Sequence, residues 1–182
     1  MTFTIGTLTF QPALRQPGLL AVPVAAALAD ASWPLAGDAV GVAEIDPDLA
    51  DTAAFCDRYG VPATQSANCV VISGKRDGEV RFAACLVLAT TRADVNGAAR
   101  RALDVRKASF AATDTAVELT GMEYGGITPV GLPSAWPILV DAAVTATETV
   151  VVGSGVRRSK LALAGKSLAD LPGVVVMDGL GR

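Results

Sequence analysis

Hydrophobic and polar positions alternate along this chain in short runs broken by Gly, Pro and Asp, which predicts many short elements rather than a few long helices. Residues from Thr2 to Phe10 alternate as a strand, ended by Pro12, and an apolar helix is expected after Pro23, through Ala25–Ala29. Ala39–Ile45 reads as a strand. Asp46-Pro47-Asp48 then supplies a helix start, placing carboxylates near the positive end of a helix over Leu49–Tyr59 that Gly60 terminates. Cys69–Ile72 and Val80–Leu88 are β-rich runs flanking Ser73–Glu79, a pattern that predicts a hairpin with a polar, Gly-containing loop. Asp94 caps an expected helix reaching Leu103, with Arg100 and Arg101 in its last turn.

Further on, the pattern predicts a short strand at Ala108–Ala111 and a short helix at Asp114–Leu119, capped by Thr113 or Asp114. Periodicity then disappears over Thr120–Pro133. Strands are expected at Ile138–Val140, Thr149–Val152 and Lys160–Leu163, a short helix at Ser167–Leu171 and a closing strand at Val174–Met177. Strands and helices mix without strict β-α-β order. The predicted fold is therefore α/β, a single domain over residues 1–182 with a mixed, curled, barrel-like sheet flanked by helices. No repeat, linker or low-complexity tract marks a second domain.

Composition narrows the function classes. With 51% hydrophobic and 18% charged residues among 182, the chain has ample material for one core and is not intrinsically disordered. Aromatic residues are only 5%, so small side chains and close backbone approach must fill that core. A net charge of −3 excludes a generally polybasic nucleic-acid binder and leaves room for a local basic face. Lys75-Arg76, Arg100-Arg101, Arg106-Lys107 and Arg157-Arg158 are the candidate contacts for such a face. The stretch Leu19–Ala31 has the look of a signal peptide, but no Lys or Arg precedes Arg15, and Pro23 interrupts it. It is also too short to span a membrane. A soluble, cytoplasmic protein without a membrane or DNA partner is expected.

Cys56, Cys69 and Cys85 are odd in number and widely spaced, and the chain has no histidine. This argues against a zinc site and predicts three reduced thiols. It also excludes the histidine-activated Ser and Cys triads. Gly165-Lys166-Ser167 imitates the end of a phosphate loop, but Lys160 stands where that loop needs its first Gly. Gly153 and Gly155 do not continue into a GxGxxG motif, because Arg158 occupies the third position. Ser154 lacks the GxSxG spacing of a nucleophile elbow. What remains is the segment from Thr120 to Pro133, where paired glycines and two prolines suit a stiff loop with bare N–H groups. Such a loop can polarise an ester carbonyl or hold a ribose hydroxyl. The alternative is an irregular surface connection.

Thr120-Gly121, Gly125-Gly126, Pro129 and Gly131 resemble the TG-x-x-x-GG-x-x-P-x-G signature of YbaK/EbsC-like aminoacyl-tRNA editing domains. That family includes Cys-tRNA(Pro) deacylases and the insertion editing domain of bacterial prolyl-tRNA synthetases. The resemblance continues through Pro137–Asp141, through Val150–Gly155 with Arg157-Arg158, and through Lys160–Leu163 to Leu171, and is clearest over residues 48–182. It implies hydrolysis of the ester joining a wrong amino acid to tRNA, without metal or cofactor. The implied partners are the aminoacylated 3′ end of tRNA and an aminoacyl-tRNA synthetase. The implied catalytic positions are Asn68, Gly125, Gly126 and Gly131, with loop N–H groups as donors. Those implied for substrate binding are Thr120, Met122, Thr128, Pro129, Asp141, Gly153, Ser154, Gly155 and Lys160. One departure stands out. Asn68 occupies the position where the family commonly has a lysine, so the charge expected there is missing unless Lys75 or Lys107 replaces it. A module that keeps the pocket but only binds aminoacyl-tRNA or a partner protein is the competing expectation.

Overall fold

A computed structural model of the protein describes residues 2–35 and 39–182. Ten strands, numbered in chain order, form two five-stranded sheets. The first runs β1 (Phe3–Ile5), β2 (Leu8–Pro12), β3 (Gly41–Glu44), β9 (Ser159–Ala164), β8 (Thr149–Gly153), antiparallel throughout. The second runs β10 (Val174–Met177), β7 (Ile138–Asp141), β5 (Glu79–Leu88), β4 (Ala67–Arg76), β6 (Ala108–Phe110). Here β7 is parallel to both β10 and β5, while β4 is antiparallel to β5 and β6. A parallel bridge between Ser66 and Val151 joins the start of β4 to β8 and curls the two sheets into one barrel-like body.

The strands read as near-continuous apolar runs because most are buried on both faces. Val150, Val152, Leu161 and Leu163 of the first sheet face Ala84, Leu86, Ile138 and Val140 of the second across the main core. The intervening Val151 and Ala162 point to the outer side of the first sheet, where α2 (Thr52–Tyr59) covers them with Phe55. Ala83, Cys85, Val87 and Leu139 point to the outer side of the second sheet. They are covered by a π-helical stretch, Val95–Ala99, that continues into α3 (Arg100–Ala102). Val24 and Leu28 of α1 (Val22–Ala29) close one end of the main core. The molecule is thus a layered stack of helix, sheet, core, sheet and helix, with α4 (Thr113–Thr120) and α5 (Ala142–Ala146) at the loops.

Several expectations change in detail. The strand expected from Thr2 to Phe10 is a hairpin that turns at Gly6, where φ is +58° and a Cβ would strike the Tyr59 carbonyl. The loop expected over Ser73–Glu79 shrinks to Asp77-Gly78, both with positive φ, and the strands pair out to Arg76 and Glu79. The helix expected over Leu49–Tyr59 is a 3-10 turn, Pro47–Leu49, followed by α2, with a break at Ala50 and Asp51. Asp94 caps its helix as expected, accepting from the Gly97 and Ala98 N–H groups. The helix α5 was hidden behind an Asp read as a ligand.

Cys69 and Cys85 lie on adjacent strands, but their cross-strand partners are Leu86 and Val70, so they project from opposite faces of the sheet. All three thiols are free, and burial pushes their pKa values upward, that of Cys85 to about 12.

Candidate functional site

One edge of β4 is paired with β5 along its whole length. On the other edge Ser66 bridges Val151, the Ala111 N–H bonds the Val71 carbonyl, and Ile72–Gly74 pair with β6. Between those contacts, residues 67–70 have no strand neighbour among the described residues, and a cavity of about 490 Å³ opens in the gap. Its walls come from four directions. Ala67–Val71 form one side, and Ala50–Thr52 at the start of α2 form another. Phe110, Ala111, Thr113 and Ala116 give an apolar flank, and Tyr124, Gly125, Ile127 and Gly153 complete the rim with Lys160.

Lys160 is the unusual group. It lies on β9 between Leu161, which enters the main core, and Ser159, so its side chain points towards α2 rather than into that core. Only 8% of the residue is exposed. Its Nζ donates to the Ala50 carbonyl at 2.9 Å and lies 5.2 Å from the centre of the Phe55 ring, a cation–π contact. The break between Leu49 and Thr52 is what leaves that carbonyl free to accept. Among the described residues no carboxylate forms an ion pair with Lys160. Burial, reinforced by the nearby Arg157 guanidinium, pulls its pKa down to about 8, against weaker opposing effects from Cys56 and Asp51. The cavity therefore holds a nearly buried cation whose only hydrogen-bond partner among the described residues is neutral.

Asn68 stands beside it on the β4 wall, and its Oδ1 accepts from the Thr52 hydroxyl. The amide nitrogen is thereby left to donate into the cavity. Lys75 and Lys107, the cations considered as substitutes for the missing charge, line a different depression with Ser73, Arg106 and Ser109, so neither reaches the Asn68 cavity. Lys160 does.

The glycine loop is zipped to the turn after β8. Glu123 N donates to Gly155 O at 2.8 Å, Gly155 N to Gly126 O at 2.7 Å, and Arg157 N to the Glu123 carboxylate at 2.6 Å. The Arg157 side chain donates to the carbonyls of Tyr124 and Pro47, so it clamps the loop to the segment before α2. Gly153 must be glycine because a Cβ there would sit 2.2 Å from Gly126 O.

These contacts correct the expected catalytic set. The Gly126 N–H donates to Glu123 O at 2.9 Å, and its α-carbon faces the Val156 backbone, so it offers no donor to a ligand. Gly131, with φ +79°, packs against Pro23 and Val24. Of the loop, Tyr124, Gly125 and Ile127 line the cavity, and among the described residues none of their N–H groups donates to a protein acceptor.

Most of the residues expected to bind substrate also lie elsewhere. The Thr120 hydroxyl bonds the Ala116 carbonyl, and Met122 belongs to the main core. Thr128 and Pro129 are buried within the loop and do not line the cavity. Asp141 caps α5 through Ala143 N at 2.9 Å and accepts from Gly181 N at 2.7 Å, a structural role that uses both carboxylate oxygens. Ser154 is fully buried and bonded to Ser159, while Gly155 faces Ala21 and Val24 of the α1 region. Asn68, Gly125, Gly153 and Lys160 are the predicted residues that the fold brings together. Asp51, Thr52, Phe110 and Tyr124 join them without having been predicted. No local motif announces them, although the Asp46–Asp48 helix start pointed to the right segment.

Of the basic dipeptides, Arg157 is engaged as described and Arg158 donates to the Gly18 carbonyl, which makes this pair a structural clamp. Arg76 is paired with Asp77 and Asp104. Lys75, Arg106 and Lys107 line the separate depression. No helix among the described residues is long and apolar enough to cross a membrane.

A family profile described as the aminoacyl-tRNA editing domain matches residues 46–171. Among solved structures, a candidate trans-editing enzyme for prolyl tRNA synthetase superposes with a TM-score of 0.71 at 25% identity, covering 87% of this chain and 94% of that one. A hypothetical protein, APE2540, superposes with a TM-score of 0.65 at 22% identity, covering 75% of this chain and 88% of that one, a likeness of fold.

Proposed function

The chain belongs to the aminoacyl-tRNA editing-domain family, YbaK-like in fold, and from that premise we propose that it is a trans-acting deacylase that hydrolyses the ester of mischarged tRNA. Its compartment in this reading is the cytoplasm, where translation is proofread. The observation that carries the reading is the buried, unpaired Lys160 cation in the cavity that Asn68 and Gly125 also line.

A buried ammonium held by one carbonyl and one aromatic ring is poorly solvated, and a developing negative charge beside it is correspondingly stabilised. In ester hydrolysis that charge appears on the carbonyl oxygen as water adds to the acyl carbon. Lys160 supplies the positive charge that the family pattern places at position 68, from a different strand. The Gly125 and Ile127 N–H groups and the Asn68 amide supply neutral donors. The C–O bond to the ribose then breaks, releasing the free amino acid and the tRNA hydroxyl. Water is positioned by backbone groups and by the hydroxyl next to the ester on the substrate ribose, since no histidine is present. The flank of Val71, Ala111, Ala116 and Ile127 receives the amino-acid side chain.

A solved relative is named for prolyl tRNA synthetase, which makes that synthetase the first partner to test. One observation favours a second reading, a module that binds aminoacyl-tRNA without cleaving it. Asn68 replaces the lysine, and its Oδ1 is already engaged by Thr52. A deacylation screen over mischarged tRNAs separates the two. Hydrolysis of at least one ester, dependent on intact tRNA, supports the deacylase, and binding without hydrolysis across the panel supports the module.

A further inference from the structure

The chain has nine aromatic residues, five Phe, two Trp and two Tyr, and most are buried or half-buried. Two are exposed, Phe110 at 63% and Tyr124 at 62%, and both line the Lys160 cavity. Their positions have independent origins. Phe110 ends β6, the short strand paired to β4, whereas Tyr124 sits in the glycine loop held by Arg157. An exposed ring forfeits burial worth about 1.5–3 kcal/mol in a core position, and two such rings on one cavity rim offer a ligand flat apolar faces to stack on.

The surroundings of β6 say what that ligand is. Phe110 faces the cavity, while the residues just before it, Lys107 to Ser109, line the second depression together with Lys75 and Arg106. A strand of three residues therefore connects a cationic groove to an aromatic-rimmed pocket that holds a buried cation. Residues 75–107 carry eight of the chain's fifteen Lys and Arg and four of its eighteen Asp and Glu, so this region is positive in an acidic protein. Positive groove, exposed rings and a half-open pocket in sequence match a single-stranded nucleic-acid end, whose phosphates track the groove and whose bases stack.

We propose that Phe110 and Tyr124 form a nucleobase-stacking site that holds the 3′-terminal adenine of tRNA at the mouth of the cavity, with Lys75, Arg106 and Lys107 receiving the phosphates that precede it. The assignment to a tRNA end rests on the deacylase reading, whereas the stacking site itself does not require hydrolysis. The site acts by placing the ester next to Lys160, so its residues position the substrate.

The test uses the full chain and two single-stranded RNAs, one ending in CCA and the other identical but abasic at its 3′ residue. The unmodified protein should bind the CCA RNA more tightly, and Phe110→Ala/Tyr124→Ala should weaken that binding by roughly 5- to 150-fold while leaving the abasic RNA unaffected. Phe110→Tyr and Tyr124→Phe, which keep a ring, should retain the preference for the base. A thermal melt confirms folding, which surface positions should leave intact. Absence of binding to the CCA RNA, or an equal loss on both RNAs, overturns the proposal. A protein that hydrolyses no mischarged tRNA yet shows this base dependence keeps the stacking site and loses the deacylase reading. One that hydrolyses without base dependence does the reverse.

Discussion

In the proposed function, Lys160 has opposite effects on stability and on catalysis. Its ammonium is buried against Phe55 and the Ala50 carbonyl, and burial lowers its pKa to about 8. Between pH 8 and the ordinary lysine range near 10.4, the unfolded chain keeps a proton here that the folded chain has released. Stability from this group therefore rises with pH across that window and is lowest below it. Lys160→Met should be more stable than the unmodified protein at pH 7, with the difference shrinking as pH rises through 8 to 10, as urea denaturation at several pH values would report. Catalysis has the opposite sign. If the charged form stabilises the oxyanion, kcat/KM over the spontaneous rate should fall as pH rises through about 8. A rise across the same range would mean instead that neutral Lys160 acts as a base. Asn68 tests the same electrostatics. Asn68→Ala removes one neutral hydrogen bond and should lower the rate by up to about tenfold. Asn68→Lys puts a second cation in the same cavity and removes the acceptor for Thr52, so it should shift the alkaline limb to lower pH rather than simply restore activity.

At the scale of elements, the site depends on interruptions. The break between Leu49 and Thr52 frees the Ala50 carbonyl for Lys160, and the loop over 120–133 is held by its neighbours more than by its own stiffness. Arg157 ties Tyr124 to Pro47, so Arg157→Ala should cost about 1–3 kcal/mol in chemical denaturation and loosen the cavity rim. The same contacts make Gly126→Val unsuitable as a catalytic probe, because a Cβ there would lie 2.6 Å from the Val156 backbone. Local signals were legible where local chemistry decides the structure. Asp94 as a cap and Gly60 as a left-handed stop are both in place. The Asp77-Gly78 turn is also present as a dipeptide signal, but the polarity of Ser73–Arg76 suggests loop, whereas these residues continue the strand. Asp141 is not distinguishable from sequence alone, because a carboxylate after a strand serves equally as a ligand or as the cap of a following helix, and here it caps α5.

Across the whole molecule, the curled two-sheet body with helices outside follows from the apolar runs and was legible in outline. Its division into two sheets was not, because among the described residues the seam is one bridge between Ser66 and Val151. The cavity at that seam was illegible for a related reason. Lys160 and the Ala50 carbonyl are 110 residues apart, and no spacing rule relates them. The glycine signature marks a loop that borders the cavity at Gly125, whereas Gly126 and Gly131 pack against Val156 and against Pro23 and Val24. In the proposed function, the Lys160 cation in the seam cavity carries ester hydrolysis. The direct measurement is the single-turnover deacylation rate of the unmodified protein and of Lys160→Met on the same panel of mischarged tRNAs, with both confirmed folded. The account predicts that the unmodified protein cleaves at least one ester and that Lys160→Met cleaves it about 10²–10³-fold more slowly. Equal rates for the two proteins would contradict it.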